Sequence, residues 1–184
     1  KLYRYPYLKE GNTEEKLNGF RKFLDSMGYN NGSVTIDASD WYISARMQDT
    51  LEAIKDFDIT PFKQYYLDHI YSHAAYYDSL GFAVTGRHIS HTLLLHHNLI
   101  NAMFLGDLIE MFTQKGWNVI DAKTAFEDNV FREKPNILPA GESLVWALAK
   151  QSGKYENTLR YPGEDGEYEE ENLNNYLKNY FNNR

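Results

Sequence analysis

Three short stretches carry side chains that can do acid–base or electrostatic chemistry. Leu93-Leu94-Leu95 runs into His96-His97-Asn98, Leu2-Tyr3-Arg4-Tyr5 into Pro6-Tyr7, and Ser33-Val34-Thr35-Ile36 into Asp37-Ala38-Ser39-Asp40-Trp41. Each reads as an apolar strand ending in polar groups, and in α/β sheets and barrels chemistry sits at the carboxyl ends of strands. A histidine that moves protons needs a carboxylate on its second ring nitrogen to fix its tautomer, and Asp40 can supply it. An arginine at such a site calls for a carboxylate or an oxyanion, which its forked guanidinium binds through two bonds. The bland alternatives are surface histidines, an ordinary capping charge, and core packing for Trp41 and Leu94.

Four histidines lie between His88 and His97, but strand alternation turns His96 away from both His91 and His97, which argues against one shared ion. His69 and His73 stand four apart in a helical stretch, a spacing that can clamp a metal on one helix face. With no third ligand in view and no HExxH pattern, two packed or solvated histidines are the preferred reading. A different metal enzyme using His69, His73 and a carboxylate remains the minor one. There is no GxSxG elbow for a serine esterase. The absence of cysteine excludes disulfides, thiolate metal sites and cysteine nucleophiles.

The elements that must place these groups follow from periodicity and caps. A helix is expected over Asn12 to Met27, with Asn12 and Glu15 as a capping box, Leu17, Phe20, Leu24 and Met27 on one face, and Gly28 as the stop. Others are expected over Ala45 to Phe57 and from Thr60, where Pro61 opens a helix carrying Phe62, Tyr66, Ile70, Ala74 and Tyr77 down one side. Asn101 to Lys115 reads as a helix with Leu105, Leu108, Ile109 and Phe112 apolar. Trp117 to Ile120 reads as a further strand, followed by a short helix capped by Asp121. Ser143 to Lys150 and the asparagine-rich end, with Leu173, Leu177 and Phe181, give two more helices. Strand–helix alternation predicts a parallel α/β architecture.

At 184 residues the chain can bury about 70% of its unfolded surface as one domain. A net charge of −7 argues against a nucleic-acid surface. No apolar run approaches the roughly 20 residues of a membrane span. Fifteen tyrosines and three tryptophans fit a sugar-stacking surface, but more commonly mean buried rings with wet hydroxyls.

Taken in order, Arg4-Tyr5-Pro6-Tyr7, Asp37-Ala38-Ser39-Asp40-Trp41 and Leu94-Leu95-His96 resemble three motifs of the polysaccharide deacetylases, the NodB-homology enzymes of carbohydrate esterase family four. The run Leu95 to Ala102 and the stretch Gly116 to Ile120 are similar to that family as well. The resemblance covers about residues 2 to 126. It implies a distorted (β/α) barrel of the NodB type, incomplete at its amino-terminal strands. Residues 1–130 would form the carboxy-terminal part of that barrel and 131–184 an extension. It implies a hydrolase that removes acetyl groups from N-acetylated sugars through water activated by a divalent metal, zinc being the expected ion. By the same resemblance His96 is the general acid, Asp40 its orienting carboxylate and Arg4 the partner of the catalytic base. The Tyr7 N–H would bind the oxyanion, and Trp41 and Leu94 would line the acetyl pocket.

The family's early Asp-Asp and His-Ser/Thr-x-x-His motifs, which supply the base and the metal ligands, do not occur in this sequence. The expectation is therefore a chain holding only the acid and oxyanion half of the site, inactive alone, from which an amino-terminal segment is missing. Open sheet edges would then favour self-association or association with that segment. An N-acetylated polysaccharide or oligosaccharide is the expected partner, and that substrate class favours an extracytoplasmic location. The alternative function is a non-catalytic sugar-binding or structural chain that retains part of the site.

Overall fold

A computed structural model describes residues 1–160 and 166–182. Its elements run β1 (Leu2–Tyr3), α1 (Glu14–Ser26), β2 (Asn30–Asn31), α2 (Asp40–Ala53), α3 (Thr60–Thr85), α4 (Leu99–Gln114), α5 (Ala122–Ala125), α6 (Leu144–Ser152) and α7 (Glu167–Asn182). This order overturns the expected NodB-type (β/α) barrel. The structure is 61% helix and 5% strand, and among the described residues the one sheet is the parallel pair β1·β2, in register Leu2↔Asn30 and Tyr3↔Asn31.

The reason lies in the expected strands themselves. A parallel sheet needs long apolar runs paired on both edges and covered on both faces. Leu2–Tyr7 stays extended for two residues and then turns into a 3₁₀ turn at Pro6–Leu8. Ser33–Asp37 and Leu93–Leu95 meet in a single parallel bridge, Ile36↔Leu93, with the Leu94 N–H on the Ile36 carbonyl at 3.0 Å. Trp117–Ile120 forms no strand, and Val119 and Ile120 lie exposed.

The helices follow their sequence signals more closely. Thr13 caps α1 by accepting the Lys16 N–H, one residue later than expected, and Gly28 takes the left-handed φ of 71° that ends it. Phe62, Tyr66, Ile70, Ala74 and Tyr77 are all buried along α3. On α4 the buried face is Ile100, Asn101, Phe104, Leu108 and Phe112, whereas Leu105 and Ile109 are exposed. In α7 Leu173 is buried and Phe181 is exposed.

The chain divides into two compact units, with the division inside α3 between His73 and Ala74. The first comprises Lys1–Asp37, Ala74–Leu94 and the described chain from Ile120 to residue 160. Its core includes Leu17, Leu24, Val34, Ile36, Tyr77, Leu80, Val130 and Val145. Burial, helped by Asp37, raises the pKa of the Tyr77 phenol far above its ordinary value. Gly141 holds a φ of 144°, and a Cβ there would come 2.5 Å from the Leu8 carbonyl oxygen, so only glycine fits. The second unit comprises Ala38–His73, Leu95–Val119 and residues 166–182. It packs α2, the first half of α3, α4 and α7 around Ile43, Met47, Tyr66, Ile70, Ile100, Leu108 and Leu173. Among the described residues no helix is long and apolar enough to cross a membrane.

In the first unit Asp128 ties down the loop after α3. It accepts from both terminal nitrogens of Arg87, from the Ser90 N–H at 2.9 Å and from the Val130 N–H at 2.9 Å. The Arg87 hydrogen bonds, ahead of the two backbone donors, hold its carboxyl well below the usual carboxylate range. A depressed folded pKa stabilises the fold above about pH 4, and that stabilisation is lost as the pH falls toward the folded value. Urea unfolding of wild type and Asp128→Asn should therefore show wild type ahead at about pH 6 and the gap narrowing toward about pH 2.5. A gap that stays constant across that range overturns the assignment.

Candidate functional site

The site is built on Asp40, the first residue of α2, whose carboxylate accepts four hydrogen bonds. Its side chain is 0% exposed, so its charge must be met by protein donors. Its Oδ2 accepts from the His96 backbone N–H at 2.9 Å, from Asn98 Nδ2 at 2.7 Å and from Asn101 Nδ2 at 2.6 Å. Its Oδ1 is 2.8 Å from His96 Nδ1. Its place in the first turn of α2 adds the positive end of the helix dipole.

These contacts settle the proton positions. A carboxylate bound by so many N–H donors acts as an acceptor, so His96 carries its proton on Nδ1 and keeps Nε2 for exchange. The His96 side chain is 45% exposed against a fully buried Asp40. The ring is therefore held from behind and open in front. Asn101 Nδ2 donates both to Asp40 and to the His96 carbonyl at 2.8 Å, and neither of those groups can donate in return, which fixes the orientation of the amide. Asn101 Oδ1 then accepts from the Tyr66 hydroxyl at 2.5 Å. Burial and the nearby Asp40 charge raise the pKa of Tyr66 well above its ordinary value, so the phenol keeps its proton and remains the donor.

Local sequence explains why the loop folds this way. Asn98 is the N-cap of α4, its Oδ1 accepting the Asn101 N–H at 3.1 Å while its Nδ2 reaches Asp40. Ser44, one turn into α2, accepts the Ile100 N–H at 3.4 Å. The starts of α2 and α4 are thus fastened to each other by side chains that also compose the site.

Of the six residues expected at the site, the second unit brings together His96 and Asp40. Trp41 follows Asp40 on α2, half-buried and edge-on to Tyr42 at 5.8 Å between ring centroids. Arg4, Tyr7 and Leu94 belong to the first unit. The Arg4 Nε–H donates to the Gly32 carbonyl at 3.0 Å, beside the β1·β2 pair, and burial lowers its pKa from the ordinary value. Tyr7 is 79% exposed and left-handed at φ 53°, followed by Leu8 at φ 57°. Two successive non-glycine residues in that region are a strained turn. Leu94 is half-buried in the extended segment that bridges to Ile36.

The remaining histidines are dispersed. His88 and His91 both approach Asp78, at 3.0 and 3.4 Å, within the first unit, and burial lowers the pKa of His91. His97 is exposed. His69 and His73 are buried, and Glu169 of α7 lies against both.

Two members of the Asp40 network carried no role in the sequence reading. Tyr66 is indistinguishable there from the apolar face of α3, and Asn101 is one polar residue in an apolar helix. The one available signal was position, since Asn101 stands at the third residue of a helix that Asn98 can cap. Compared with known proteins, the chain matches no protein-family model, no curated protein and no solved structure.

Proposed function

We propose that this chain carries the proton-donating side of a hydrolase acting on N-acetylated sugars, as the resemblance of its motifs to polysaccharide deacetylases implies. One observation carries the reading: the 2.8 Å bond from His96 Nδ1 to a fully buried Asp40, on a ring that is itself 45% exposed. A general acid needs that asymmetry, with one nitrogen fixed by a carboxylate and the other reachable by substrate.

In this role Asp40 stabilises the imidazolium form of His96 and sets its ring plane. His96 hands a proton from Nε2 to the departing amine nitrogen as the acetamide C–N bond breaks. Asn98, Asn101 and Tyr66 keep the Asp40 carboxylate from rotating, so the proton is delivered along one direction. Trp41 supplies an apolar wall of a size suited to an acetyl methyl or a sugar face.

The resemblance also implies a divalent metal that activates water. Both Asp40 oxygens already accept N–H donors, so this carboxylate does not fit as a ligand of such an ion. Its part is to orient the histidine.

Acetate release from N-acetylated sugar oligomers tests the reading. The chain holds the acid half of the site and should release little acetate alone; whatever release is measured, His96→Ala and Asp40→Asn should each lower its kcat by roughly 10²–10⁴-fold with little change in KM, the range expected for loss of general acid catalysis. Acetate release undiminished in His96→Ala sinks the proposal. Oligomer binding that is unchanged in both His96→Ala and Asp40→Asn, with no acetate release from wild type, favours the non-catalytic sugar-binding alternative. Tyr66→Phe separates support from chemistry, because it removes one donor to Asn101 and leaves the His96–Asp40 bond in place. It should cost about 1 kcal/mol in urea unfolding and lower kcat far less than His96→Ala.

A further inference from the structure

Among the described residues of the second unit, a further set of ligating side chains gathers apart from the His96 network. His69 and His73 stand one turn apart on α3, and Glu169 comes from α7, about a hundred positions later in the sequence. His69 Nδ1 is 3.5 Å from Glu169 Oε2, and His73 Nε2 is 3.9 Å from Oε1, with the three side chains 2–5% exposed. One ligand atom from each lies within 4.8 Å of the others. Two ligands of a tetrahedral zinc, at bonds of about 2.0–2.1 Å, sit roughly 3.3 Å apart. The two carboxylate–imidazole separations, each to a different oxygen of Glu169, are 3.5 and 3.9 Å, so the side chains need close in only modestly on an ion.

Hydrogen bonding fixes what His73 presents. Its Nδ1 is 2.9 Å from the His69 carbonyl, which can only accept, so the proton sits on Nδ1 and the Nε2 lone pair is turned to Glu169. An imidazole whose far nitrogen donates to a backbone carbonyl is the arrangement that orients metal-bound histidines. Two imidazoles and a carboxylate form a zinc-type donor set.

We propose that His69, His73 and Glu169 form a site for a divalent zinc-type ion, closed to solvent, that pins α7 to α3. The site is independent of the deacetylase reading, since it uses none of the groups around His96. It is structural in kind, because side chains this buried leave no open position for a substrate. Ser39 borders it, with its Oγ 3.4 Å from Glu169 Oε1 and its N–H donating to His69 Nε2 at 3.2 Å. With the ion on Nδ1, the His69 proton moves to Nε2 and that N–H contact opens. Loading therefore exchanges one long hydrogen bond for a metal–ligand bond, and the Ser39 amide reports it.

The experiment is metal analysis of the purified chain, followed by zinc and cobalt titration of chelator-treated protein. The expected result is about one zinc per chain, a visible cobalt spectrum of tetrahedral nitrogen–oxygen type, and a shift of the Ser39 amide resonance on loading. His73→Ala and Glu169→Gln should each weaken zinc binding beyond the roughly 10–100-fold that loss of an outer partner costs, and His97→Ala should leave it unchanged. Absence of saturable zinc and cobalt uptake by the folded wild-type chain overturns the proposal without recourse to any variant, and assigns the cation between His73 and Glu169 to a proton. Tight uptake that survives both His73→Ala and Glu169→Gln overturns it equally.

Discussion

A carboxylate with no access to water organises the second unit. Leaving the Asp40 charge buried and unpaired would cost several kcal/mol, so the chain around it is committed to delivering N–H groups. Residues 96–101 do so from one backbone amide, one imidazole and two carboxamides. Charge-assisted bonds of this kind are roughly twice as strong as neutral ones, and the α2 dipole adds to them. Asn98 serves twice, capping α4 and donating to Asp40. The starting points of two helices are consequently not independent.

The same constraint selects one histidine from an adjacent pair. Both the backbone and the ring of His96 bind Asp40, which fixes the φ/ψ and χ angles of that residue together. His97 has only the exposed side of the loop. Strand alternation predicted that the two would face apart. What separates them in the molecule is the double attachment to one carboxylate, because the leucine run before them pairs through a single bridge. Strand alternation separates His96 from His97 on a geometry the chain does not adopt.

That case illustrates what the sequence could convey. Local helical signals survived: Gly28 as a stop, Asp121 before α5, and the buried stripe from Phe62 to Tyr77. Strand pairing did not, because three or four apolar residues in a row say nothing about whether a partner edge exists, and without one Leu93-Leu94-Leu95 has no sheet to join. The start of α2 lies at Asp40 and not at the expected Ala45, because Ser39, of a type favoured at N-caps, reads as loop after a strand. Its side chain caps nothing and reaches instead to Glu169. Contacts such as Tyr66–Asn101 and Ser39–Glu169 span 35 and 130 positions and leave no periodic trace. The His69–His73 spacing was visible, but the carboxylate that completes the cluster could be found only in three dimensions.

Ser39 and Asp40 are consecutive, yet they face two polar clusters of opposite accessibility. Asp40 leads to a histidine side chain 45% exposed, whereas Ser39 leads to a His–His–Glu set whose side chains are 2–5% exposed. Exposure determines what each can do. A group that exchanges protons with a substrate must have one open side, and it must be held rigidly on the other. A sealed cluster has no exchange partner, so whatever cation balances Glu169 stays in place as long as the fold does. Through the Ser39 Oγ, 3.4 Å from Glu169 Oε1, the cluster adjoins the residue immediately before Asp40 and the first turn of α2. The start of α2 thus sets a sealed polar cluster and a half-exposed histidine on two consecutive residues, each fixed by its own buried carboxylate.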